Sequence, residues 1–361
     1  MNAWALSAPD RRTSVLLAAI LAVCVVTGVL HYTGVEPVVV FVAAALALAG
    51  LAWVIGLATE AVGARFGPAL TGVLQTTLGN LPELFVVLFA LSAGEVVVAQ
   101  TSILGSLFAN ALLVLGLAIV AGSVVAREGD GVMRFAARLP NDTATLLLLA
   151  VFIIVLLGLS NTVGDRASEH AVGISAVGAV CLLVVYAVWL WSYLRSDAKE
   201  PALEAGSHTP FAFRTAIAVL VVAGVGAAFV SEWFVDALDP AVDALGISKA
   251  FTGLVIVGIA GNAVENVVGI TLAAKRQSDL AVSVIKNSVA QIAAFLFPAL
   301  VLFSLFFENR LTFVLSPVYI GALAVMAIAM WQITGDGQAV SFEGCALVAI
   351  YVVLAVLTFY E

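Results

Sequence analysis

The sequence predicts an all-α polytopic membrane protein of about eleven transmembrane helices: one extra N-terminal helix, then two five-helix repeats of inverted topology. Three observations carry this. The 361 residues are 63% hydrophobic and 11% charged, with a mean hydropathy of +1.16, whereas an average soluble domain is roughly 25% charged. The apolar residues fall in runs of about 20 or more, the length a helix needs to cross a bilayer. One polar phrase also occurs twice inside such runs, 182 positions apart, as Gly79-Asn80-Leu81-Pro82-Glu83 and Gly261-Asn262-Ala263-Val264-Glu265.

Charges and Pro/Gly clusters divide the chain into runs at 13–32, 37–58, 69–93, 96–122, 143–161, 170–195, 212–231, 248–274, 279–307, 312–333 and 341–360. The first follows Arg11-Arg12 but has no small-residue cleavage site after it, so it reads as a membrane helix and not a signal peptide. Eleven spans make the loops alternate sides. One side then collects eleven basic residues: Arg11, Arg12, Arg65, Arg127, Arg134, Arg138, Arg195, Lys199, Arg214, Lys275 and Arg276. The other side collects only Arg166, Lys249 and Arg310. The positive-inside rule therefore puts the N-terminus in the cytoplasm and the C-terminus outside. The outer side is acidic, with Glu232, Asp236, Asp239 and Asp243 in one loop. It reads either as a mouth that concentrates cations or as an ordinary solvated loop.

The organisation follows from the same count. Residues 1–36 hold the N-terminal segment and first helix. Residues 37–195 form one five-helix repeat, 196–211 a charged cytoplasmic linker and 212–361 the second repeat. Five is odd, so the halves enter the membrane from opposite sides, as in many secondary transporters. The acidic balance, net charge −8, argues against nucleic acid. Cys24, Cys181 and Cys345 are odd in number and unclustered, and read as small buried hydrophobes. No cofactor is expected.

Carboxylates deep in a bilayer are costly and are kept for a function. Asn80 and Glu83 are three apart, as are Asn262 and Glu265, which puts each pair on one helix face. Pro82 removes a backbone donor, and Gly79 and Gly261 loosen the same turns. Opened turns would offer carbonyl oxygens beside the carboxylates. Hard cations such as Ca²⁺ take six to eight oxygen ligands, and Glu83 and Glu265 are the expected metal-binding carboxylates. Neighbouring carboxylates in low dielectric also bind protons, so cation and proton can compete for one site. The repeat continues: Ser106 and Ser288 each follow their glutamate by 23 residues. Gln100 and Asn110 add amides to the first half, Asn287 and Gln291 to the second.

The motifs Gly79-Asn80-x-x-Glu83-Leu84, Gln100-x-Ser102-x-x-Gly105-Ser106-x-x-x-Asn110, Gly261-Asn262-Ala263-x-Glu265 and Ser288-x-x-Gln291 resemble the Ca²⁺/H⁺ antiporters of the cation/proton exchanger family, in the Ca²⁺:cation antiporter superfamily. The resemblance runs from about residue 37 to the end. It implies that Glu83 and Glu265 bind cation and carry protons, and that Asn80, Asn262, Gln100, Ser106, Ser288 and Gln291 line the site or its access paths. Three departures stand out. Asn266 follows the second glutamate where the family usually has His. Pro82 before Glu83 is more like the sodium/calcium exchangers, so Na⁺ stands as an alternative counter-ion. Lys286 stands where the family is usually apolar. It is about two turns into its helix, which suits snorkelling to the cytoplasmic interface, while its neighbours Asn287 and Ser288 suit a cation facing the site.

The expected function is a secondary antiporter of the inner or plasma membrane that exports Ca²⁺ in exchange for H⁺ by alternating access. Its partners are these ions and the lipid bilayer; the sequence does not give the oligomeric state. The alternatives are a Na⁺-coupled Ca²⁺ exchanger, an Na⁺/H⁺ antiporter or, from another class, a cation channel. No H-E-x-x-H or G-x-S-x-G is present to suggest an enzyme.

Overall fold

The computed structural model describes residues 11–63, 74, 77–126, 130–136, 138–197 and 211–361. Most of the linker expected at 196–211 lies outside them, as do Arg65, Arg127, Lys199 and much of the start of the third run. In chain order the elements are α1 (Arg11–Tyr32), α2 (Pro37–Gly63), α3 (Leu81–Ser92), α4 (Val96–Val125), β1 (Val132–Arg134), α5 (Arg138–Val163), α6 (Ala171–Asp197), α7 (Phe213–Asp236), α8 (Leu238–Leu245), α9 (Lys249–Gly261), α10 (Ala263–Ala274), α11 (Ser278–Phe306), α12 (Pro317–Thr334), β2 (Gln338–Val340) and α13 (Ser341–Phe359).

Among the described residues nine helices are long and apolar enough to cross a membrane, or ten if the bent pair α8–α9 is one span. The helices α3 and α10 are shorter and apolar. They belong to the third and eighth runs of the sequence, which are broken. Large apolar side chains point out of the fold along its helices: Leu21, Val188, Val222 and Val353 are all more than half exposed. A surface of this kind is solvated by lipid. Cys181 and Cys345 lie on it as exposed free thiols, so the expectation that all three cysteines are buried is corrected. The Cys side chain is small and apolar, and it suits a lipid-facing position as well as a core.

The chain forms two compact units, Met1–Phe89 with Trp189–Gly246 and Ala90–Val188 with Ile247–Glu361. Each draws on both halves of the sequence. In the first unit α2 packs along α7, and Phe41 stacks on Phe234 with ring centroids 4.7 Å apart. In the second unit α4 crosses α9 backbone against backbone. A Cβ on Gly105 would lie 2.3 Å from the carbonyl oxygen of Leu254, and one on Gly258 would lie 2.6 Å from Gly105.

Two elements were not expected. The acidic segment expected on the outer side is not a plain loop. α7 runs on to Asp236, and α8 follows as an amphipathic helix. Leu238, Ala241 and Val242 supply its buried face, and Asp239 and Asp243 are exposed. The apolar spacing i, i+3, i+4 is that of a helix lying on a core. The other is an antiparallel pair, with Val132 opposite Val340 and Arg134 opposite Gln338. It joins a segment of the first half to one of the second, so an even number of crossings must separate them. The eleven-span reading has six.

Candidate ion-binding site

The phrase that repeats in the sequence breaks a helix both times. Helical residues end at Gly79, Asn80 is a turn, and α3 starts at Leu81. Likewise α9 ends at Gly261, Asn262 is a turn, and α10 starts at Ala263. The carbonyl of each asparagine opens the next helix, accepting from the amide of Leu84 (2.9 Å) and of Asn266 (3.0 Å). Each glutamate thus stands in the first turn of the restarted helix, where the helix N-terminus favours negative charge. Both are buried, Glu83 at 0% and Glu265 at 3% exposure.

The repeat continues beyond the breaks. The π-helical stretch Ala109–Val114 interrupts α4, and another at Ile292–Leu296 interrupts α11. Their ends at Val114 and Leu296 are again 182 positions apart. Such bulges recur at functional sites because they re-aim side chains out of helical register.

In the second unit the polar residues form one chain of hydrogen bonds. Asn262 Nδ2 donates to Ser106 Oγ (2.7 Å) and to the carbonyl of Gly258 (2.8 Å). Asn110 Nδ2 donates to Asn262 Oδ1 (2.7 Å) and to Ser288 Oγ (3.2 Å). All four side chains are fully buried. The network spans α4, the α9–α10 break and α11, and the glycine crossing at Gly105 and Gly258 brings Ser106 up to Asn262. Asn110 Oδ1 and Asn287 Oδ1 are buried acceptors with no hydrogen-bond partner among the described residues.

Other expected residues are engaged elsewhere. Gln100 Nε2 donates to the carbonyls of Thr312 (3.4 Å) and Val314 (3.2 Å), about 9 Å along the helix from Ser106 at 1.5 Å per residue. The Gln291 side chain lies near the hydroxyl of Tyr186. In the first unit Ser231 Oγ of α7 donates to the carbonyl of Pro82 (3.4 Å). Lys286 corrects the snorkelling expectation. Its side chain is 1% exposed, and Nζ donates to Thr334 Oγ1 (2.6 Å) at the end of α12. The head group reaches the end of α12, but it stops there on a buried hydroxyl. Depth counted along one helix could not show that α12 covers it.

A family profile decides the relationship: the sodium/calcium exchanger protein profile matches residues 36–194 and 215–360. The chain belongs to that family. Full-length relatives agree with the assignment. The chain is 30% identical to a Ca²⁺/H⁺ antiporter of Synechocystis sp., over 96% of this chain and 98% of that protein. It is 29% identical to the Ca²⁺/H⁺ antiporter ChaA of Bacillus subtilis, over 95% and 97%. Among solved structures, native YfkE superposes with a TM-score of 0.79 at 28% identity, covering 96% of this chain and 99% of that one. A crystal structure of an H⁺/Ca²⁺ exchanger gives a TM-score of 0.76 at 15% identity, which speaks to the fold alone. This family member is therefore an integral membrane protein with the exchangers' all-α fold.

Proposed function

We propose that this protein exports Ca²⁺ in exchange for H⁺ by alternating access, with Glu83 and Glu265 carrying the transported ions. One observation carries the reading. Each half of the chain interrupts a membrane helix at an asparagine and buries a glutamate in the next turn, in a chain similar over its whole length to named Ca²⁺/H⁺ antiporters. A buried carboxylate is costly as a bare charge. Binding a cation or a proton removes that cost, so the same residue serves either ion. A carrier loaded with either crosses more readily than an empty one, and that turns competition into exchange.

The remaining assignments belong to the same proposal. Asn80 and Asn262 help bind the cation. Ser106, Asn110, Ser288, Gln291, Asn287 and Gln100 line the site or its approaches, with Gly79, Pro82 and Gly261 shaping the broken turns. Residues 37–195 and 212–361 act as the two inverted halves, joined by the linker 196–211. The N-terminus is cytoplasmic and the C-terminus external, in the cell membrane, as the basic residues favour. The test is Ca²⁺ uptake into everted vesicles driven by a pH gradient, with and without a Na⁺ gradient. Uptake that follows the pH gradient supports the proposal. Uptake that needs Na⁺ refutes proton coupling, and current far beyond carrier turnover points to a channel.

A further inference from the structure

The two broken turns are not held alike. At the first, Pro82 stands in the first turn of the restarted helix, and Leu84 occupies the position after the glutamate. At the second, Asn266 occupies that position. Its side chain reaches back across the break, and Nδ2 donates to the carbonyl of Ile259, seven residues earlier (3.1 Å). The helical ladder stops at Gly261 and restarts at Ala263. Ile259 is itself 37% exposed, on a chain whose outward surface is apolar. A backbone carbonyl left over by a break at membrane depth must be satisfied from within the protein, and the Asn266 amide supplies the donor to Ile259.

We propose that Asn266 is a positioning residue for Glu265. Its amide staples α9 to α10 across the break at Asn262, and so fixes the direction in which the adjoining glutamate leaves the broken turn. The inference rests on the reading of Glu265 as an ion-carrying residue. Asn262 holds the same break from its inner side through Gly258 and Ser106. The pair thus fixes both the depth and the rotation of the first turn of α10. Asn266 cannot change charge with pH, so the staple holds through a cycle in which protons come and go.

Two substitutions separate the hydrogen bond from the space that Asn266 fills. Asn266→Leu keeps the branched shape, removes the donor and copies Leu84 of the first half. Asn266→His keeps an N–H at nearly the same place. Two measurements are made on each: the apparent KM for Ca²⁺ in pH-driven vesicle uptake, and hydrogen exchange of the peptide covering the break. Asn266→Leu should raise KM about tenfold at an unchanged maximal rate per folded protein and speed exchange at the break. Asn266→His should restore both above the pH at which its imidazole is neutral. A merely structural residue would lower the amount of folded protein and leave KM alone. If either readout is unchanged in Asn266→Leu, or if Asn266→His fails as the leucine variant does, the positioning role is wrong. The exchange measurement needs no transported ion, and wild-type uptake is run in parallel. A failure of the antiport reading would therefore appear in the wild type, apart from the staple.

Discussion

At the scale of single residues, the prediction nearest the chemistry concerns the two glutamates. Glu83→Gln and Glu265→Gln keep the shape of the side chain and remove its charge and its titratable proton. Each should bring pH-driven Ca²⁺ uptake below detection while the protein still inserts and folds. Substantial uptake by either variant would remove that residue from the transport step. Lys286 gives a second prediction, about stability. A lysine head group held at 1% exposure against the Thr334 hydroxyl is costly to desolvate, and replacing a buried polar or charged group by an apolar side chain of similar volume is often neutral or stabilising. Lys286→Met should therefore leave the unfolding temperature in detergent unchanged or raise it. Thr334→Val takes away the acceptor and should cost about 1–3 kcal/mol. The double variant should lose less than the valine variant alone, because the orphaned Lys286 head group is gone. Strict additivity would show that the two side chains do not depend on each other.

At the scale of elements, the crossing of α4 and α9 is the contact that the network at Asn262 depends on. The obstruction to a Cβ on Gly105 is the backbone oxygen of Leu254, which cannot swing aside as a side chain can. Gly105→Ala should therefore cost about 1–3 kcal/mol by overpacking, and should move Ser106 away from Asn262. Gly173 in α6 is the control, since nothing lies within 4 Å of a Cβ placed there. Gly173→Ala should be neutral or stabilising by up to about 1 kcal/mol, the helix propensity difference. Equal losses in the two variants would mean that the close crossing is not what makes Gly105 necessary. The elements also show how far the sequence could be read. The long spans and the two breaks were legible because a polar residue or a proline in an apolar run carries a local cost that has to be explained. The π-helical stretches and the glycine crossing were not, because they depend on which helix lies opposite. Lys286 is of the same kind. Its own helix suggested two destinations, and its partner Thr334 is 48 residues away.

At the scale of the whole molecule, the pairing of β1 with β2 tests the topology. In the second unit the segments on one face bond to one another. Ala136 N–H donates to Asp279 (2.5 Å), Arg276 donates to the carbonyl of Val125 (3.3 Å), and β1 pairs with β2. Other contacts gather a second set: Lys249 with Glu95 (2.8 Å), and Asn309 with the carbonyl of Leu91 (3.2 Å). The charge asymmetry of the sequence sorts these residues in the same way, with 125–136, 275–279 and 338–340 cytoplasmic and 91–95, 249 and 309 external. Asp130 steadies the strand through hydrogen bonds to the side chain of Arg134 and the amide of Val132. The Arg134 partner, more than any other cause, holds its carboxyl down at about 2. A depressed carboxyl stabilises above its ordinary pKa of about 3.9 and stops doing so as the pH falls toward 2, so the strand pair should be intact throughout the neutral range. Opposite residues of an antiparallel pair lie about 4.5–5.5 Å apart between Cα atoms, within the range that a disulfide spans. In a background without native cysteines, Val132→Cys with Val340→Cys should therefore cross-link at neutral pH. Left reduced, both thiols should react with an impermeant reagent from the cytoplasmic side, and a cysteine replacing Arg310 should react only from outside. Labelling of 132 and 340 from opposite sides would refute the count of six crossings between them, and labelling of 310 from the cytoplasm would refute the orientation that the basic residues imply.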